Sequence, residues 1–159
     1  MEISFTPIGF VRGGRTEARK DRWGNNRCRL ELDPARITAD SLIGLDQLSH
    51  IEVITYFHLE ADEPVERGAR HPRGRTDWPR VGILAQHGRM RPNRIGVSVC
   101  RILSVEPLAI NVEGLDMVDG TPILDIKPVW SGYAPRGTCK EPDWAKQIMA
   151  DYWAGETPL

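Results

Sequence analysis

Three carboxylates close together in the chain, Asp116, Asp119 and Asp125, are the first residues whose type and spacing suggest chemistry. Clustered carboxylate oxygens can hold a hard cation. Asp119-Gly120 reads as a turn, however, and Asp125 stands two residues from Lys127, so structural pairing is the expected use of both. His58 closes an apolar run, a place where sites often sit, although a lone histidine there more commonly serves structure. The histidines lack HExxH spacing. Cys28, Cys100 and Cys139 show no CxxC or CxxH spacing and read as reduced thiols of a cytoplasmic protein, neither staples nor zinc ligands. No metal site is expected. No GxGxxG follows a strand, and neither GxxxxGK[ST] nor GxSxG occurs. Dinucleotide binding of the Rossmann type, a P-loop and a serine nucleophile elbow are therefore unsupported.

Charge offers a second lead. The net charge is −1, but arginines crowd two stretches. Arg12, Arg15, Arg19, Lys20, Arg22, Arg27 and Arg29 face only Glu17 and Asp21. Between Arg67 and Arg94, Asp77 is the only acid. Such stretches can hold a phosphate backbone, or simply form a solvated basic surface. Trp23, inside the first cluster, could stack on a base or a cofactor ring, or could cap the edge of the core.

These residues need elements to position them. At 159 residues the chain fits one domain with a core. It has no run of about 18 apolar residues, so no membrane helix is expected, and its first residues lack a signal-peptide pattern. Residues 3–11 read as a first strand and 28–32 as a half-buried second. Residues 38–44 hold one helical turn with Gly44 as its stop. Residues 49–59 are rich in β-branched and aromatic types, and their near-continuous apolarity predicts a strand buried on both faces. A loop over residues 60–79 is long enough to be functional or mobile. Residues 81–85 form a short strand.

From Ile95 the chain alternates, with Val97, Val99, Arg101, Leu103 and Val105 on one face and Ser98, Cys100, Ile102 and Ser104 on the other. Pro107-Leu108 turns it back, and residues 122–128 form a last strand. The polar turns Arg91–Gly96 and Leu115–Pro122, each pinned by Gly and Pro, are read as lying on adjacent strands and holding a ligand. Pro142 and Asp143 open a C-terminal helix, with Trp144, Ile148 and Tyr152 as an apolar stripe for which only a packing role is expected. Short strands joined by turns predict a mainly β fold, an antiparallel β-barrel, over residues 1–137, with 138–159 as a helical extension of the same domain.

The motifs Arg91-Pro92-Asn93-Arg94-Ile95-Gly96 and Leu115-Asp116-Met117-Val118-Asp119-Gly120, preceded by Pro7-Ile8-Gly9-Phe10-Val11-Arg12 and by Leu45–Ile51 leading to Phe57-His58, resemble the TsaA-like (YaeB-like, TrmO) family. The resemblance covers roughly residues 3–130. It implies a TsaA/YaeB-like barrel that binds S-adenosyl-L-methionine, usually as a homodimer. It also implies N6-methylation of a threonylcarbamoyl-adenosine beside the tRNA anticodon, hence a tRNA partner and no membrane. Carried over by position, the cofactor contacts are Arg22, Trp23 and Gly24, His58 and Leu59, His87, Val99, and Leu115, Asp116, Met117 and Val118. Three departures stand out: Arg94 where the family more often has a second proline, Gln86-His87-Gly88 before the motif, and Asp21-Arg22-Trp23-Gly24 in the first loop. They keep open a methyltransferase acting on a small molecule, and the absence of an obvious base keeps open a non-enzymatic cofactor-binding module. Methyl transfer from a sulfonium is an in-line displacement in which alignment does much of the work. A general base is optional there. His58 and Asp116 are candidates for one, and no catalytic residue is assigned.

Overall fold

The computed structural model describes residues 1–155; residues 156–159, the end of the predicted helical extension, lie outside the described residues. Strands β1 (Gly9–Arg12), β2 (Arg27–Leu32), β3 (His50–Tyr56), β6 (Ile95–Glu106), β7 (Ala109–Glu113) and β8 (Pro122–Pro128) close a barrel in the order β1-β2-β7-β6-β3-β8. Every pairing in it is antiparallel. The predicted mainly β barrel is therefore present. Two short strands, β4 (Ala69–Arg70) and β5 (Val81–Gly82), pair separately, and helix α1 (Asp143–Met149) follows the barrel.

The first strand is shorter than predicted. Pro7 has no N–H to give a ladder, and Ile3 and Phe5 are exposed. Pairing is regular only from Gly9, although Ile8 still donates to the Ile123 carbonyl. β3 also differs from expectation. Ile51, Val53 and Thr55 are fully buried, but Glu52, Ile54 and Tyr56 on its outer face are only half covered. A closed barrel covers one face of each strand, and among the described residues no helix packs extensively on the other face of β3.

The inward face of β6 is not the one its residue types suggest. Gly96, Ser98 and Cys100 point inward, while Val97, Val99 and Leu103 are 40–49% exposed. A bulge opposite β7 between Ile102 and Ser104 then shifts the register, and Val105 returns to pack on the core. One extra residue reverses which side chains face inward. The core itself is Val11, Cys28, Leu30, Ile51, Val53, Cys100, Ile110, Val112, Leu115, Met117 and Ile123, with neighbours. Burial pushes the Cys28 and Cys100 thiols up to about 12, so both remain neutral packing groups. All three cysteines are free.

Residues 60–79 are tied to the rest of the molecule at several points. β4 pairs with β5, and Trp78 is buried with its indole N–H bonded to Gln147 Oε1 of α1 at 2.7 Å. Helix α1 ends at Met149, one turn earlier than the apolar stripe suggested, and Tyr152 leaves it to reach the barrel. No helix among the described residues is long and apolar enough to cross a membrane.

Candidate cofactor site

The turn after β7 is the best-anchored polar segment of the barrel. Asn26, buried just before β2, donates its amide to the carbonyls of Leu115 (2.7 Å) and Met117 (3.4 Å). The Asn26 carbonyl accepts from Gly114 N–H, and its Oδ1 accepts from Arg15 N–H. Asp119 Oδ1 accepts from Gly13 N–H at 2.7 Å, Asp119 N–H donates to Arg15 O, and Gly120 N–H donates to Val11 O. Thr121 closes the turn through its hydroxyl on the Val118 carbonyl. Nothing in the residue types singled out Asn26. A polar residue one step before a strand looks like any loop asparagine, and only the fold shows that it spans two segments 89 residues apart.

These bonds settle the three carboxylates. Asp119 caps the backbone of the first loop, Asp125 pairs with Lys127 at 2.8 Å, and Asp116 accepts from the Tyr152 hydroxyl. Among the described residues no group of three His, Cys, Asp or Glu could hold a metal ion.

The two motif turns flank the neighbouring strands β6 and β7, as the sequence reading expected, although β3 lies between β6 and the strand β8 into which the second turn leads. They still converge. A Cβ on Gly96 would lie 3.0 Å from Met117 Cε, 2.6 Å from Thr55 Oγ1 and 2.8 Å from Phe57 Cζ. Thr55 Oγ1 contacts Met117 Sδ at 3.3 Å. Arg94 has φ +49°, which proline, locked near −65°, could not adopt. Its guanidinium bonds the Glu60 and Glu63 carbonyls, tying the Arg91–Gly96 turn to the segment after β3.

The expected contact residues divide into two groups. Gly24, and with it the Arg22–Gly24 stretch, approaches the start of the Leu115–Val118 turn, for the Gly24 carbonyl is 3.5 Å from a Cβ placed on Gly114. His58 joins them, half-buried, its Nε2 3.8 Å from a Cβ on Gly120. Trp23 is 2% exposed, under the Arg15 guanidinium at 4.6 Å and bonded through its indole N–H to Arg19 O. It is thus a core-edge residue here, not a free stacking surface. Leu59 and His87 are exposed, and Val99 stands on the outer face of β6 opposite Glu52.

The second arginine cluster is largely spent inside the molecule. Arg73 forks onto Asp21 (2.7 and 2.9 Å) and reaches the Lys20 carbonyl. Arg75 pairs with Asp77, Arg89 with Glu60, and Arg80 and Arg91 bond to carbonyls. One use of the cluster is to fasten residues 60–94. Arg73→Ala should accordingly destabilise the protein by about 1–2 kcal/mol in urea titration, because the fork is half-buried. Arg75→Ala, at an exposed pair, should change stability little.

At the Leu115–Val118 turn, donors and acceptors remain unspent. The N–H groups of Asp116, Met117 and Val118 find no acceptor among the described residues. Asp116 Oδ1 is buried with no hydrogen-bond partner. A buried acceptor left alone is costly, and one beside three open donors suits a ligand that carries both kinds of group.

Comparison with known proteins identifies the family. Residues 18–134 match the family model of the tRNA-methyltransferase O N-terminal domain. RcsF of Pseudomonas aeruginosa, assigned but not established as an S-adenosylmethionine-dependent methyltransferase, is 33% identical over 98% of this chain and 68% of its own length. The tRNA (adenine(37)-N6)-methyltransferase of Escherichia coli is 34% identical over 57% of this chain and 40% of its own. The crystal structure of TrmO from Pseudomonas aeruginosa superposes with a TM-score of 0.70 at 30% identity, over 88% of this chain and 62% of that one. The chain thus spans between two fifths and about two thirds of these relatives. With a matched domain over most of its length and the same barrel, the chain belongs to the tRNA-methyltransferase O N-terminal-domain family.

Proposed function

We propose that this protein is an S-adenosylmethionine-dependent methyltransferase that methylates N6 of a modified adenosine beside the tRNA anticodon. Family membership supports the methyltransferase reading and the donor. The observation that carries the site is the Leu115–Val118 turn, with its open N–H groups and its unpartnered Asp116 oxygen. The residues fit the cofactor, whose adenine ring supplies acceptors and whose ribose hydroxyls and ammonium supply donors. Arg22, Trp23, Gly24, His58 and Leu115–Val118 would hold it. When bound, it supplies an electrophilic methyl group.

The chain's own part is alignment. A turn pinned by Asn26, Gly13 and Val11 keeps its donors in place without reorganisation. His58, beside Gly120, and Asp116 on the turn are the candidate proton acceptors. A cytoplasmic protein with tRNA as partner suits this chemistry. The outer face of β6 suits a homodimer: Val97, Val99 and Leu103 are exposed there, and Val97 pairs with the half-covered Ile54. Val99, on the outer face of its own subunit, stands where a second copy would cover it. Sedimentation decides that point.

Because so many arginines are spent internally, methylation of a small molecule is the second reading. Calorimetry with S-adenosylmethionine and nucleoside mass spectrometry of tRNA from a deletion strain distinguish them. Cofactor binding with loss of a methylated adenosine in the deletion strain is expected. Binding with unchanged tRNA nucleosides overturns the tRNA substrate, and no binding at high micromolar cofactor overturns both.

A further inference from the structure

The segment after α1 lies beyond the residues matched by the family model, yet it is bonded to the candidate site at several points. The carbonyls of Asp151 and Tyr152 accept from the N–H groups of Arg22 (3.1 Å) and Trp23 (2.8 Å). The Trp153 carbonyl lies so close to Gly24 that any Cβ there would collide with it. The Tyr152 hydroxyl donates to Asp116 Oδ2 at 2.5 Å. From behind, Trp78 holds Gln147 and the Arg73 guanidinium reaches the Ile148 carbonyl at 3.5 Å.

A carboxylate on a turn rotates about two torsions. Held at one oxygen by a phenol, it offers the other in a single direction. In Asp116 that other oxygen is the buried, unpartnered one. Burial first, and the neighbouring Asp116 second, push the Tyr152 phenol well above its ordinary range. It therefore remains a donor at any pH the protein meets.

We infer that Tyr152 is a positioning residue for the cofactor. It aims Asp116 Oδ1 at a hydroxyl or ammonium donor of S-adenosylmethionine, and residues 151–154 form a wall of the site. This rests on Leu115–Val118 being the cofactor turn. The test is a double-mutant cycle in the full chain. Tyr152→Phe, Asp116→Asn and the double variant are titrated calorimetrically with S-adenosylmethionine, each well below its own melting midpoint. Each single change should raise Kd about tenfold, the loss of one hydrogen bond to a charged group. The double should bind no more weakly than the weaker single, because both act through one contact.

A Tyr152→Phe protein that binds with wild-type affinity overturns the inference even if it melts lower, and so do additive losses. Gly120→Val separates the two possible failures. If it weakens binding and Tyr152→Phe does not, only the role of Tyr152 falls. If neither weakens binding, the turn itself is not the cofactor site.

Discussion

Gly120→Val is expected to weaken S-adenosylmethionine binding tenfold or more while the barrel persists with a lowered melting point. Gly120 has φ +79°, in the left-handed region. A β-branched residue there costs on the order of 1–2 kcal/mol before any contact is counted. The strain cannot relax freely, since Gly120 N–H is bonded to Val11 O and its neighbours Asp119 and Thr121 are tied to Gly13 and Val118. The added side chain would also start 3.8 Å from His58 Nε2. Relief must come from moving the turn, and the turn carries the open donors of residues 116–118. A calorimetric titration beside a thermal melt checks this. Unchanged affinity in a folded variant would move the site elsewhere.

Gly96→Val should have the larger effect on stability. The Cβ alone would sit 2.6 Å from Thr55 Oγ1 and 2.8 Å from Phe57 Cζ, inside the barrel. Overpacking of this kind costs about 1–3 kcal/mol, with valine at the upper end. For a domain of this size that is a fall on the order of 10 °C in Tm. Met117 is the third neighbour, so cofactor affinity should fall with it. A melting point within about a degree of wild type would show that the interior at this end can absorb a side chain.

How much of this was legible beforehand follows from the range of each interaction. The hairpin at Pro107-Leu108 and the αL glycines at 44 and 120 are local, and residue type gave them away. β6 was only half legible, because Val97, Val99 and Leu103 are as apolar as core residues, while the inward Gly96 and Ser98 are small. Alternation identifies two faces but not which one is inside. The spent arginines were illegible for a different reason. Arg73 meets Asp21 across 52 residues, and composition registers the charge without the partner. Tyr152 read as packing because its stripe fits a helix, but the helix stops at Met149 and the residue serves another segment. The Leu115–Gly120 turn was located by its family motif, and its anchors, Asn26 above all, needed the fold.

The barrel's closure has a consequence for how the chain folds. β6 and β7 are joined by a two-residue turn, so their pairing closes almost no loop, whereas β1 and β8 meet through only two residue pairs, Gly9↔Ile123 and Phe10↔Pro122. More than a hundred residues lie between them, and ordering such a span comes late because its entropy must be lost before the contact repays it. The first strand of the barrel thus waits for its last before the cylinder can shut. Its Val11 carbonyl is also the acceptor that fixes Gly120. The proposed cofactor turn therefore matures only at that final step, and a nascent or partly unzipped chain would lack the proposed site.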